Sequence, residues 1–242
     1  MITISHNEIV VACLKALEAL GFSYGEAEDG ADAIGWLAVH GLSLPDDLLN
    51  RLDYLQPAES SLLRLDSESD AYSTWDVQGA TGLSCFPNLA DYAFVKARSR
   101  GVHQLTIQNM ADVDLIWPYL ANIQRRGYDA LIRWEDSNQQ ERLISFDSKW
   151  AEPERYVQES QSSMAVGNIE LAVSRSSLSF EGTQNPKIIR IGTKEGLRNN
   201  YQYRIENGID IDKKLWERLT LIGKDLLVES TAESEKRGAG GV

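Results

Sequence analysis

At 242 residues the chain has room for one or two domains and a sizeable core, and its 43% apolar and 25% charged residues are those of a folded globular protein. No run approaches the ~18 apolar residues of a membrane span, and a net charge of −12 opposes nucleic-acid and acidic-lipid surfaces. Two cysteines, Cys13 and Cys85, make neither a disulfide framework nor a metal ligand set and suit a reducing cytoplasm; Met1–Glu8 lacks the basic stretch of a secretory leader.

The first ~55 residues read as three short helices. Ser5 with Glu8, and Ser23 with Glu26, have capping-box spacing. Ile9, Cys13, Leu17 and Leu20 follow helical periodicity up to Gly21, and Ala27, Ala31, Ile34 and Ala38 carry a second helix to His40-Gly41. Ser43 and Pro45 open a third, with Leu48, Leu52 and Leu55 as its stripe. Leu62–Leu65 suggests a short strand, and the acidic, serine-rich Asp66–Asp70 reads as a solvated loop.

From Gly79 the pattern becomes α/β. Residues 88–100 are predicted helical, Val102–Gln108 a strand, 114–126 a helix with Pro118 near its start, and Tyr128–Trp134 and Arg142–Phe146 strands. Residues 150–165 read as irregular. Ile169–Val173, Ser177–Phe180, Ile188–Ile191 and Tyr201–Ile205 are strand candidates, and 211–228 a final helix. Glu229–Val242 reads as a flexible, glycine-rich tail. The fold class is therefore α/β (mixed α+β), with a helical lobe over 1–60, a larger α/β region with a mixed sheet over 61–228, and the tail.

Chemistry-bearing motifs are sparse. Gly79-Ala80-Thr81-Gly82 lacks the order of a dinucleotide or P-loop fingerprint, and no G-x-S-x-G elbow occurs. Of three histidines, His6 is expected on the surface and His103 on the inner face of its strand. His40 stands at a helix C-terminus, whose carbonyls favour a protonated imidazole. Asn109 and Asp112 follow a strand end, where open α/β sheets gather their ligands. His40, Asn109 and Asp112 are the candidate ligand-binding residues; no metal site is predicted.

The order of elements resembles the malate/lactate/ureidoglycolate/sulfolactate dehydrogenase family, which is not of Rossmann type. Two stretches carry the resemblance: residues 3–55, leading to Val39-His40-Gly41-Leu42 where that family has Ser-His-Gly, and residues 79–134, where a helix, Arg100-Gly101-Val102, a strand ending at Asn109, a second helix and Arg126-Gly127 occur in the family's order. The resemblance implies NAD or NADP as cofactor and a homodimer. It also places a catalytic histidine three residues after the Asn, where this chain has Asp112, and a carboxylate-binding arginine soon after Ser-His-Gly, where it has Leu42-Ser43-Leu44-Pro45. Hydride transfer to a keto acid needs a carbonyl-polarising acid and an anion clamp; both are replaced. The ending Ala232–Gly240 resembles that of an uncharacterised bacterial family.

The reading is a bacterial, cytoplasmic, divergent and shortened relative of that fold. It has lost NAD-dependent hydride transfer and binds a small metabolite or acts as an accessory subunit. No cofactor is predicted from the residues themselves, with NAD or NADP left open by the resemblance. Two alternatives stand beside it: an enzyme with altered chemistry in the same cleft, and a protein-interaction module, which exposed Trp75, Trp134 or Trp150 would favour.

Overall fold

The computed structural model describes residues 1–42, 51–52, 54–57, 63–136, 138–159, 167–178 and 188–226. After β1 (Ile2–Ile4), the two predicted capping boxes form as read: Ser5 and Ser23 each accept from the N3 amide while Glu8 and Glu26 reach back, opening α1 (His6–Ala19) and α2 (Tyr24–Val39). Gly21, with φ of 95°, lets the chain leave α1 in the left-handed region. The third helix, read from Ser43, falls mostly outside the described residues; within it Arg51 is helical and Leu52 and Leu55 are buried.

The main sheet has eight strands in the order β2-β3-β4-β8-β5-β6-β7-β9. They are β2 (Arg64–Glu68), β3 (Tyr72–Asp76), β4 (Val102–Gln108), β5 (Asp129–Glu135), β6 (Gln140–Phe146), β7 (Glu154–Glu159), β8 (Ile169–Ser174) and β9 (Ile189–Gly192). β3 and β4 run parallel, joined by the crossover helix α3 (Gly82–Arg100); the other neighbours are antiparallel. α3 packs on β4 and β8. His103, Leu105 and Ile107 point inward from β4 together, as their alternation predicts. His103 is paired there with Ser73, whose Oγ lies 2.9 Å from Nε2.

The predicted 114–126 helix is broken into α4 (Val113–Ile116), a 3-10 turn (Trp117–Tyr119) and α5 (Leu120–Arg125). Pro118, which has no N–H to give an α-helix, sits in that turn. β9 leads into α6 (Lys194–Asn207), then β10 (Ile209–Ile211) and α7 (Lys213–Lys224). β10 pairs antiparallel with β1, and α7 packs on α1, so the helical lobe draws on both ends of the chain. No helix among the described residues is long and apolar enough to cross a membrane.

Several sequence expectations are corrected, each for a physical reason. The run read as a loop at Asp66–Asp70 mostly forms the edge strand β2, whose five residues are all exposed and so show no apolar period. Likewise β7 lies within the stretch read as irregular, with Val157 its one buried residue. Tyr201, Tyr203 and Ile205 alternate like a strand yet belong to α6, which Thr193 caps and Gly208 ends. Their spacing misleads because none of them is buried. Ser177 and Leu178 are not in a strand, and 179–180 lie outside the described residues. α3 starts six residues earlier than read, at the Thr81 cap, and accommodates Pro87 within its second turn. The tail at 229–242 and the last two residues of the predicted 211–228 helix, 227–228, lie outside the described residues.

Candidate functional site

The C-terminal ends of the parallel pair β3–β4 and the N-terminus of α3 meet at one place. Pairing continues past the strands as a bridge between Thr81 and Ala111. Gly82 opens α3 against the strand-end loop: a Cβ there would come 2.4 Å from Ile116 Cγ2 and 3.3 Å from Ala111 O. Its lack of a side chain therefore serves packing. The Gly79–Gly82 stretch positions this corner.

Asn109 and Asp112, read from the sequence as candidates, are both here. Asn109 Nδ2 donates to Asp76 Oδ1 at 2.8 Å, and its own N–H donates to Asn168 Oδ1 at 3.2 Å. The Asn109 amide and the backbone N–H of Gln78 hold the Asp76 carboxyl below its ordinary range, with Arg64 Nη2 at 3.0 Å as a further donor. Asp112 accepts on both oxygens, from Thr81 Oγ1 at 2.7 Å and from Arg51 Nη1 at 3.2 Å, and Arg51 also reaches Asp114 at 3.7 Å. Gln78, Asn109 and Asp112 have φ of 51°, 59° and 59°. These are left-handed conformations that Asn and Asp tolerate better than other side chains and that cost energy.

Two cavities share Arg51, Gly79, Ala111 and Asp112 as a common wall, one of about 400 Å³ running toward Tyr54 and Gln56, the other of about 450 Å³ running toward Trp134. Each is the size of a small-metabolite site. The second is lined by four carboxylates, Asp112, Asp114, Glu135 and Asp136, against one guanidinium, Arg51, among the described residues. Asp136 in turn pairs with Arg142 at 2.7 Å. Trp134 forms part of the wall; its indole N–H is buried and has no hydrogen-bond partner among the described residues.

His40 lines neither cavity. It caps α2, with Nδ1 2.8 Å from Trp36 O, its ring stacked on Trp36 at 3.6 Å between centroids and tilted against Tyr201 at 5.2 Å. The expected protonated form is not what the fold favours: burial outweighs the helix-end carbonyls and lowers its pKa to about 4. Of the three tryptophans singled out, Trp134 is buried, Trp75 half-buried and Trp150 exposed.

Arg51 is the site residue that the sequence reading does not include, because it stands beyond the Gly41–Pro45 stretch where the resemblance places an arginine. One signal was available: Arg51 is the sole basic residue between Lys15 and Arg64.

The fold finds counterparts among solved proteins. Malate dehydrogenase from Pyrococcus horikoshii OT3 superposes with a TM-score of 0.70 at 13% identity, over 95% of this chain and 97% of that one. Sulfolactate dehydrogenase from Methanocaldococcus jannaschii gives 0.64 at 12%, over 93% and 97%. Delta1-piperideine-2-carboxylate reductase from Pseudomonas syringae pvar. tomato gives 0.61 at 11%, over 92% and 100%. The chain therefore has the fold of the malate/lactate/sulfolactate dehydrogenases at low sequence identity, as the resemblance implied. A family model described as a protein of unknown function (DUF3726) matches residues 4–80. No curated protein matches the sequence.

Proposed function

We propose that this chain is a dehydrogenase-fold protein that binds a small metabolite in the strand-end cleft and does not perform nicotinamide-dependent hydride transfer. The observation that carries the reading is Asp112. It stands three residues after Asn109, where the resemblance places a histidine, and both its oxygens are occupied as acceptors. A carboxylate engaged in this way leaves neither oxygen free for a developing alkoxide. Arg51, the cation of the cleft, is engaged by Asp112 and Asp114. The residues present do not fit hydride chemistry on a keto acid.

The wall favours particular ligands. Its carboxylates oppose a dianion and favour a cationic or zwitterionic molecule, and Arg51 on the same wall is the guanidinium, among the described residues, that can meet a carboxylate. A small zwitterion satisfies both. The strained backbone at Asn109 and Asp112 favours a second reading, an enzyme with altered chemistry in the same cleft.

The purified chain, mixed with NADH or NADPH and a set of 2-keto acids and cyclic imino acids, is expected to leave the reduced nicotinamide absorbance unchanged. Its turnover-dependent loss, abolished in Asp112→Ala, would overturn the reading.

A further inference from the structure

We propose that a groove between α1 and α7, apart from the strand-end cleft, binds the anion of a medium-chain fatty acid, its carboxylate between Lys15 and Lys224 and its hydrocarbon along Val11, Ala12, Trp216 and Leu219. Helical spacing builds the two walls. Glu8, Val11, Ala12 and Lys15 recur three or four residues apart on α1, and Trp216, Leu219, Thr220 and Gly223 do so on α7. Leu215, Leu219 and Ile222 bury the inner stripe of α7 in the core, and the groove opens beside that stripe. Its volume is about 350 Å³, and it shares no lining residue with the two cavities of the strand-end corner. That is the small end of metabolite sites and too small to seat a partner helix, which is ~10 Å across.

The middle of the groove is apolar. Ala12 and Leu219 are buried, Trp216 is half-buried and Val11 is 37% exposed. Two of the polar groups beside them are engaged locally: Thr220 Oγ1 donates to Trp216 O at 2.9 Å, and Glu8 Oε2 accepts from Ser5 N at 2.8 Å. An acyl chain laid there takes apolar surface out of water on both partners.

Charge fixes the head group and its direction. A Cβ on Gly223 would lie 3.0 Å from Lys15 Cβ, so the helices close on each other there and Lys15 and Lys224 stand at the same end of the groove. Neither lysine forms an ion pair among the described residues. Glu8 lies seven residues back along α1, ~10 Å at 1.5 Å per residue. An anion is therefore drawn to the lysine end and kept from the other, and the span between them suits a chain of medium length. Because α1 and α7 come from opposite ends of the sequence and pack on each other, a ligand held between them also stabilises the fold.

Isothermal titration of the full chain with octanoate, kept below the concentration at which it forms micelles, tests this. Saturable binding at one site per chain is expected, with a rise in Tm. The double variant Lys15→Gln, Lys224→Gln is expected to weaken it about tenfold; both side chains are exposed, so Tm without ligand should hold. Val11→Asp sets an anion inside the groove from a surface position and should abolish binding. Octanol and octyltrimethylammonium keep the chain but lose or invert the charge, and acetate keeps the charge but loses the chain; each should bind about tenfold more weakly or worse. No binding of octanoate, equal binding by the double lysine variant or by Val11→Asp, or equal binding of octanol, the octyl cation or acetate would overturn the proposal.

Discussion

Thr81 Oγ1 donates to Asp112 Oδ2 at 2.7 Å, so the cap of α3 and the loop after β4 are joined through one carboxylate that also pairs with Arg51. Removing it takes an acceptor from the Thr81 hydroxyl and one carboxylate from Arg51, which keeps Asp114. Asp112→Ala is expected to destabilise the fold by about 2–3 kcal/mol in urea melts. Asp112→Gly loses the same contacts but none of the left-handed strain at φ of 59°, and should be about 1 kcal/mol more stable than the alanine variant. Equal stability of the two would show that the backbone there is unstrained.

His40 gives the fold a pH dependence of defined sign. Its pKa falls from 6.5 to about 4 on folding, because burial disfavours the charged ring. Below pH 6.5 the unfolded chain binds a proton that the folded chain refuses, so stability is lost as pH falls from about 6.5 to about 4. Integrated over that window the loss is roughly 3 kcal/mol. His6 and His103 are also lowered, chiefly by burial, and add in the same direction. The His40 share is read by comparison with His40→Gln, whose melts at pH 7 and pH 4.5 should differ by less than the parent's; identical slopes would contradict the assignment.

Gly82 tests the packing of the corner. Helix propensity alone makes Gly→Ala favourable by roughly 0.5–1 kcal/mol. Here the new methyl meets Ile116 Cγ2 at 2.4 Å, and Ile116 is fully buried. Gly82→Ala is therefore expected to be net destabilising by about 1–3 kcal/mol. A stabilised variant, measured by thermal melts, would show that α3 and α4 are free to part.

What was legible in the sequence is what is local or buried. The capping boxes at Ser5–Glu8 and Ser23–Glu26 are complete within four residues, and the inward set His103, Leu105 and Ile107 is spaced by the core it faces. Asn109 and Asp112 are legible as residues of a strand end. β2, β7 and α6 are misread because each buries at most one residue, so nothing imposes a period on them. Arg51 is missed for another reason: its partners are Asp112 and Asp114, some sixty residues away, and short-range motifs do not see that distance. The pairing of β1 with β10 spans nearly the whole chain and is likewise invisible locally.

Ligand charge discriminates within the proposed function. Among the described residues four carboxylates and one guanidinium line the cleft near Trp134, so small zwitterions should shift the melting temperature upward more than dicarboxylates of equal size. The carboxylate-to-amide variant Asp114→Asn should narrow the difference, as measured by thermal shift. A dicarboxylate preference would reverse the assigned polarity of the site.

The central claim, a metabolite cleft without nicotinamide chemistry, is tested most directly by a thermal-shift screen of the full chain against NADH, NADPH and a panel of small zwitterions and carboxylates. A ligand confined to the folded state, at a hundredfold excess over Kd, stabilises it by ~2.7 kcal/mol. The account predicts a rise in Tm with a small zwitterion, lost in Asp112→Ala, and none with NADH or NADPH. A rise with NADH or NADPH and silence from every small metabolite would contradict it.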